Sequence, residues 1–246
     1  MLGFYTLFSG SSGNSAFIRY KDTRILIDCG MSARRVTQAL QSIGENSNFI
    51  NSILITHEHS DHVAGLRVFS KNNPSCVYAT APTWNAMGDM SVPVFNRQIV
   101  LPGKSFSVGD IDVFPFATSH DSAFSVGYVL NCGGISYAVA TDNGKLTSDF
   151  AQSLRGCDTV LIEANYDQFM LENGAYPYYL KKRIASCTGH MSNEQAGKLA
   201  CALARSGTKR IALGHLSKEN NTPKTAYNTV LNMLKDEGLS VSLGVA

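Results

Sequence analysis

At 246 residues the chain is long enough to bury a sizeable core, as one large domain or two small ones. Its 44% hydrophobic and 16% charged residues exclude a disordered polymer. A formal net charge of +2 excludes a global basic field, so any affinity for nucleic acid must rest on local contacts.

The opening stretch, MLGFYTLFSGSSGNS, has no basic segment, and its apolar run is too short for a signal peptide or a membrane span. Cys29, Cys76, Cys132, Cys157, Cys187 and Cys201 are widely spaced and form no C-x-x-C pair. Reduced core thiols in a cytoplasmic protein are therefore expected, not a disulfide framework. Strands are predicted at Phe4–Phe8 and Ala16–Tyr20, joined by SGSSGNS, where Gly and Ser supply turn geometry and backbone N–H groups. That loop reads equally as a plain hairpin turn or as a substrate-facing segment. A third strand, Arg24–Ile27, delivers Asp28, and Ser32 can cap a helix running to about Ile43 with Val36, Ala39, Leu40 and Ile43 on one face.

Ile53–Gly65, ILITHEHSDHVAG, is the densest stretch. An apolar strand, Ile53–Ile55, runs into His57, His59, Asp61 and His62, and a helix-like segment, Val63–Phe69, comes next. On a turn leaving a strand, residues two apart can face one side, so His57 and His59 can chelate one cation. Asp61 and His62, at a helix start, would face a neighbouring one. Imidazole and carboxylate suit zinc, iron or manganese.

Downstream, strands are expected at Cys76–Ala79, Gln98–Leu101, Ile111–Phe116, Ser125–Asn131 and Ile135–Ala140, with a Pro-initiated helix at Pro82–Met87. Two of these strands run into ligand-type residues, His120 and Asp142. Strands and helices then alternate. Leu146–Leu154 is helix-like, Thr159–Ile162 is a strand ending at Glu163, and Tyr166–Leu171 and Tyr178–Ala185 are helical candidates. Ser192-Asn193-Glu194-Gln195 has capping-box spacing and opens a helix to about Arg205. Arg210–Leu213 delivers His215, Thr222-Pro223 starts a helix to about Glu237, and Ser240–Gly244 closes the chain. A strand-rich first half before this alternation predicts an α/β (α+β) protein, a four-layer αββα sandwich of two mixed sheets flanked by helices.

Five of the six histidines and three aspartates thus fall at strand ends or in the central motif. Their order, Asp28, HEHSDH, His120, Asp142 and His215, resembles the metallo-β-lactamase superfamily along the whole chain. The resemblance implies one domain spanning residues 1–246 with no inserted domain. It also implies two divalent metal ions (Zn, Mn or Fe), with His57, His59 and His120 on one, Asp61, His62 and His215 on the other, and Asp142 bridging. Asp28 would sit behind the ligands and fix their loop by hydrogen bonds. The β-lactamases of the superfamily commonly carry a Cys ligand where this chain has Asp142, and its redox di-iron members have Glu where it has His59.

LIEANYD (Leu161–Asp167), TGHMSNEQAG (Thr188–Gly197) and LGHLSKENNTP (Leu213–Pro223) are similar to the phosphodiesterase branch that includes ribonuclease Z. SGSSGNS and HLSKENN are closer to the YycJ (WalJ) exonuclease-like group. This likeness implies a metal-dependent phosphodiesterase, a nuclease on DNA or RNA, using a metal-bridging hydroxide. Asp61, His190 and Glu163 are its expected catalytic residues, with His190 on the scissile phosphate or leaving oxygen and Glu163 orienting it. The bland alternatives are a structural hydrogen bond for His190 and a helix cap for Glu163. Ser192, Ser217, Lys218, Asn220, Asn221 and Asn14 are the expected substrate contacts. Lys181-Lys182-Arg183 and Tyr176, Tyr178 and Tyr179 read either as backbone and base contacts or as a solvated face and a packed loop. Two alternatives stand beside the nuclease: a small-molecule metallohydrolase acting on thiolesters, lactones or cyclic phosphates, and a binding protein that keeps metals structurally.

Overall fold

The computed structural model describes residues 2–88, 92–93 and 96–246. Two mixed sheets, each accompanied by helices, build the α/β fold. The chain forms two compact units: Met1–Pro115 with Ser122–Val126 and Asn131–Gly133, and Phe116–Asp121 with Gly127–Leu130 and Gly134–Ala246.

The first sheet has the order β1-β2-β3-β4-β5-β6, from Leu2–Phe8, Ser15–Tyr20, Thr23–Ile27, Ser52–Leu54, Cys76–Ala79 and Arg97–Ile99. β1, β2 and β3 pair antiparallel, and β3 to β6 run parallel. Register places Phe17, Leu26, Ile53 and Val77 in one row across four strands. All four are fully buried, and α1 (Ala33–Ser42), α3 (Leu66–Asn72) and α4 (Ala81–Met87) add Val36, Leu40, Leu66, Phe69 and Trp84 to the same cluster. Burying side chains of this size contributes about 1.5–3 kcal/mol each. Ser32 caps α1 as expected, and its apolar stripe is narrower than predicted, with Val36 and Leu40 buried but Ala39 and Ile43 only partly so.

The second sheet has the order β13-β12-β11-β10-β9-β8-β7. Its strands are β7 (Phe106–Val108), β8 (Ile111–Ala117), β9 (Val126–Cys132), β10 (Ile135–Ala140), β11 (Thr159–Glu163), β12 (Arg210–Gly214) and β13 (Ser242–Val245). β10 to β13 are parallel, joined through α5 (Ser148–Leu154), α6 (Gln168–Asn173), α7 (Tyr178–Ile184), α8 (Asn193–Arg205) and α9 (Pro223–Asp236). Ser192 and Gln195 complete the capping box of α8.

One expectation is corrected, and one strand was not expected from the sequence. The helix expected at Val63–Phe69 is two pieces, α2 (Ser60–Val63) and α3, separated at Gly65. A Cβ at Gly65 would lie 2.1 Å from the Met31 carbonyl oxygen, so the chain passes there only because the residue is glycine. β7, three residues long, carries too little periodicity to be visible in the sequence. The six cysteines are free thiols, and burial pushes Cys29 up to about 12, with Asp28 adding to the shift. Among the described residues no helix is long and apolar enough to cross a membrane.

Candidate metal centre

Each compact unit carries one cluster of ligand-type side chains, built where strands end. Among the described residues only four non-glycine residues have positive φ: Lys21, Asp28 (61°), Asp142 (56°) and His215 (53°). Three of them are site residues predicted from the sequence. Asp and His tolerate the left-handed region better than most residues, and each still costs of order 1–3 kcal/mol there. Asp28 and His215 directly follow β3 and β12, and Asp142 comes two residues after the end of β10.

In the first unit, His57, His59, Asp61 and His62 come directly after β4, with His59 at the N-cap of α2. Ring centroids of His57 and His59 are 4.6 Å apart, and those of His57 and His62 are 4.1 Å apart. The hydrogen bonds behind them fix the tautomers. The Thr56 backbone N–H and hydroxyl donate to the two Asp28 oxygens at 2.8 and 2.9 Å. The Thr56 oxygen then accepts from His57 Nδ1 at 3.0 Å, and His62 Nδ1 donates to Asp28 Oδ2 at 2.8 Å. Both rings therefore carry their proton on Nδ1 and turn the Nε2 lone pair the other way. Burial raises the Asp28 carboxyl above the usual range, although His62 and Thr56 pull it down. Glu58, inside the motif, has its Oε1 committed to the Ala123 backbone N–H at 2.7 Å.

The SGSSGNS loop turns out to brace this cluster. The Asn14 backbone N–H donates to Asp61 O at 2.8 Å, and the Asn14 carbonyl accepts the Gly30 N–H at 2.9 Å. The Asn14 side-chain amide lies 3.3 Å from Asp61 Oδ2 and 3.1 Å from His62 Nε2, so both acceptors present lone pairs to one point. A Cβ at Gly30 would stand 1.7 Å from Asp61 O. Gly30→Ala should therefore displace the ligand loop, and a thermal melt of the metal-loaded protein should fall by several degrees while Ser11→Ala, on the exposed part of the loop, leaves it in place.

In the second unit, His120, Asp142, Glu163, His190 and His215 converge. Asp142 Oδ1 lies 3.7 Å from His120 Nε2 and 3.4 Å from His215 Nε2. His120 Nδ1 donates to Gly189 O at 3.0 Å and His215 Nδ1 to Glu163 Oε1 at 3.0 Å, so these two rings also point Nε2 away from their anchors. Burial keeps His120 below the usual imidazole range, which favours the neutral, ligating form. The Asn165 amide donates to His215 O at 2.8 Å, a brace that sequence reasoning missed although it lies within LIEANYD.

Glu163 is fully buried and accepts four donors: His190 Nδ1 at 2.7 Å and His215 Nδ1 at Oε1, and the backbone N–H groups of Asn143 and Met191 at Oε2. Burial alone would raise this carboxyl. The charge and hydrogen bond of His190, with His215, overcome it and bring Glu163 to about 2. With four donors in place its two oxygens anchor His190, His215 and two backbone N–H groups. His190 is in turn held above the usual imidazole range, because the Glu163 carboxylate outweighs the opposing burial. Its side chain is 23% exposed, and with Nδ1 committed to Glu163, Nε2 is the nitrogen that Glu163 does not engage.

These residues fit a divalent metal. Two ligands bound at ~2.0–2.2 Å in a tetrahedral shell stand about 3.3–3.6 Å apart. The Asp142 distances, and the 3.6 Å from His62 Nε2 to Asp61 Oδ2 within the first unit, fall at or near that range. Asp28→Asn should loosen the His62 anchor and lower metal affinity about 10- to 100-fold, read by chelator competition, while the fold persists.

Of the expected substrate contacts, Lys218 is exposed. Ser192 caps α8, Ser217 accepts the Asn220 backbone N–H, and Asn221 donates to the Ala164 and Asn165 carbonyls and to Asn193. The side chains of Ser192, Ser217 and Asn221, like that of Asn14, are buried and hydrogen-bonded within the fold, and that of Asn220 is buried with its Oδ1 unpartnered among the described residues.

A family model described as a β-lactamase superfamily domain matches residues 23–216. Exodeoxyribonuclease WalJ of Streptococcus pneumoniae is 37% identical over 241 residues, covering 96% of this chain and 90% of the relative. Exodeoxyribonuclease YycJ of Bacillus anthracis is 34% identical over 242 residues, covering 98% and 92%. The crystal structure of the metallo-β-lactamase fold protein YhfI from Bacillus subtilis superposes with a TM-score of 0.76 at 14% identity, over 99% of this chain and 95% of that one, and so shares the fold. With the ligand series in order and these matches over nearly its full length, the chain belongs to the metallo-β-lactamase superfamily.

Proposed function

We propose that the chain is a metal-dependent phosphodiesterase acting as a nuclease on DNA. The observation that carries this reading is the Glu163-held His190, whose ring is stacked 5.3 Å from that of the ligand-type His215 and whose side chain is partly exposed. A hydrolase that only had to activate water would need no such histidine. A hydrolase that expels an alkoxide from phosphorus gains from a proton donor aimed at the leaving oxygen. The identity to relatives named exodeoxyribonucleases supports the same substrate class.

In this reading His57, His59 and His120 hold one metal, Asp61, His62 and His215 a second, and Asp142 serves both. A bound metal pair supplies a nucleophile at neutral pH and neutralises charge on the phosphoryl oxygens. Asp61 accepts a hydrogen bond from the attacking water and orients it. His190 donates from Nε2 to the scissile phosphate and then to the departing 3′ or 5′ oxygen, and Glu163 keeps the ring in that pose through Nδ1. Zinc, manganese and iron all suit this donor set.

The test is a substrate panel with metal-reconstituted protein: end-labelled single- and double-stranded DNA and RNA, bis(p-nitrophenyl) phosphate, a thiolester and a lactone. Stepwise shortening of labelled DNA is expected. Intact nucleic acid with hydrolysis of the thiolester or lactone would replace the nuclease by a small-molecule metallohydrolase.

A further inference from the structure

The run Lys181-Lys182-Arg183 puts consecutive cations at the end of α7, and the structure sends them to different places. Lys181 Nζ donates to Glu172 O at 2.8 Å, and Lys182 Nζ stands 5.3 Å over the Tyr178 ring. Both lysines are thus occupied on α6 and α7 themselves. Arg183 turns to the ligand residues instead. Its Nε donates to Asp121 Oδ2 at 2.5 Å, and Asp121 Oδ1 lies 3.5 Å from His120 Nε2. That is the nitrogen directed away from the Gly189 anchor and 3.7 Å from Asp142 Oδ1. One carboxylate therefore separates the guanidinium from a ligand-type nitrogen.

The ion pair by itself does not account for the arginine. Its side chains are 60% and 27% exposed, and pairs this open contribute little to stability. With Nε on Asp121, the two Nη groups keep their donors for another acceptor. A planar, permanently charged fork is the side chain best matched to phosphate oxygens. Its position is also fixed. The His190 backbone N–H donates to Ile184 O at 2.8 Å in the last turn of α7, and the Ser119 hydroxyl donates to Cys187 O at 2.8 Å. A Cβ at Gly144 would lie 2.5 Å from Gly189 N, so the segment after α7 is packed on the loop that follows Asp142. The end of α7 is thereby fastened to His120, Asp142 and His190.

We propose that Arg183 binds the phosphate next to the scissile one and so sets which linkage of a DNA strand is presented for cleavage. This rests on the nuclease reading and deepens it. Phosphate contacts fix register without reading bases, and the charge they meet lies on the backbone of paired and unpaired strands alike.

The experiment follows cleavage by metal-loaded protein of end-labelled DNA in which the linkage on one or the other side of the first cleaved bond is a neutral methylphosphonate. On unmodified DNA, Arg183→Gln should raise KM at least fivefold and flatten the slope of log KM against log salt by about 0.9 for a duplex. Metal content and melting temperature should match wild type. The KM for bis(p-nitrophenyl) phosphate, which has no neighbouring phosphate, should rise at least threefold less. In wild type, one of the two methylphosphonates should raise KM about as much as Arg183→Gln does, and in the variant that same change should add less than twofold. Arg183→Lys, a point charge without the fork, should recover part of the loss. Losses that multiply, an equal loss on the small diester, or loss of metal from Arg183→Gln would overturn the contact, while a wild type that cleaves DNA remains a nuclease. A wild type that leaves DNA intact would remove the nuclease reading as well.

Discussion

His190→Ala should keep its metal and its melting temperature and lose about 10²- to 10⁴-fold in kcat on a phosphodiester, the range that removal of a general acid typically costs. The expectation comes from how its two nitrogens are used. Nδ1 is bound to the fully buried Glu163 at 2.7 Å, and Nε2 is the nitrogen that Glu163 does not engage. Removing the ring takes away a proton donor and the Nδ1 that lies 3.7 Å from Asp142 Oδ1, while Nε2 of His120 and of His215 stay at 3.7 and 3.4 Å from that oxygen. Glu163→Gln separates positioning from proton donation. It leaves the ring but loses the carboxylate that anchors both His190 and His215, so kcat should fall along with a measurable drop in metal affinity. Loss of metal from His190→Ala itself, seen by elemental analysis, would make His190 a ligand, and unchanged kcat would leave it only a structural hydrogen bond.

Asp142→Asn is expected to be the most damaging single change. Asparagine keeps the shape and tolerates the left-handed backbone at φ 56°, so the strand end survives and only the carboxylate charge is lost. A neutral amide offers a cation one carbonyl oxygen in place of an anion that faces three imidazoles. Metal content should drop and hydrolysis of both DNA and bis(p-nitrophenyl) phosphate should fall to background. Full metal occupancy with activity within tenfold of wild type would mean that Asp142 is not at the centre of the site.

The ligand-type residues are legible in the sequence because they follow closely on apolar runs, and an apolar run is the strongest local signal a sequence carries. Asp28, Asp142 and His215 stand out for the same reason that they are conformationally costly: each lies just past a strand end with a left-handed backbone. The residues behind them are harder to read. Thr56 looks like an ordinary strand terminator, yet it links Asp28 to His57 through one hydroxyl. Asn14 is 48 positions from His62, and nothing in SGSSGNS announces that its amide meets that ring. Gly30 and Gly65 matter through what a Cβ would strike, which only packing reveals. The TGHMSN and HLSKENN segments invite a substrate reading for Ser192, Asn220 and Asn221, but buried amide and hydroxyl groups must find partners, and Asn221 finds backbone carbonyls. Tyr178 and Tyr179 could have packed the loop beside Pro177, and only the structure shows that both are exposed.

In the proposed mechanism both ligand clusters serve one dinuclear, hydrolytic centre. The decisive experiment titrates metal-stripped protein with Mn²⁺ or Zn²⁺ while bound metal, by elemental analysis, and DNA hydrolysis are followed on the same samples. Saturation at two ions per chain is expected, with activity that rises steeply only as the second site fills, and His57→Ala and His215→Ala should each lose one ion and nearly all activity. Saturation at a single ion with full activity, or full activity in either variant, would contradict a dinuclear centre.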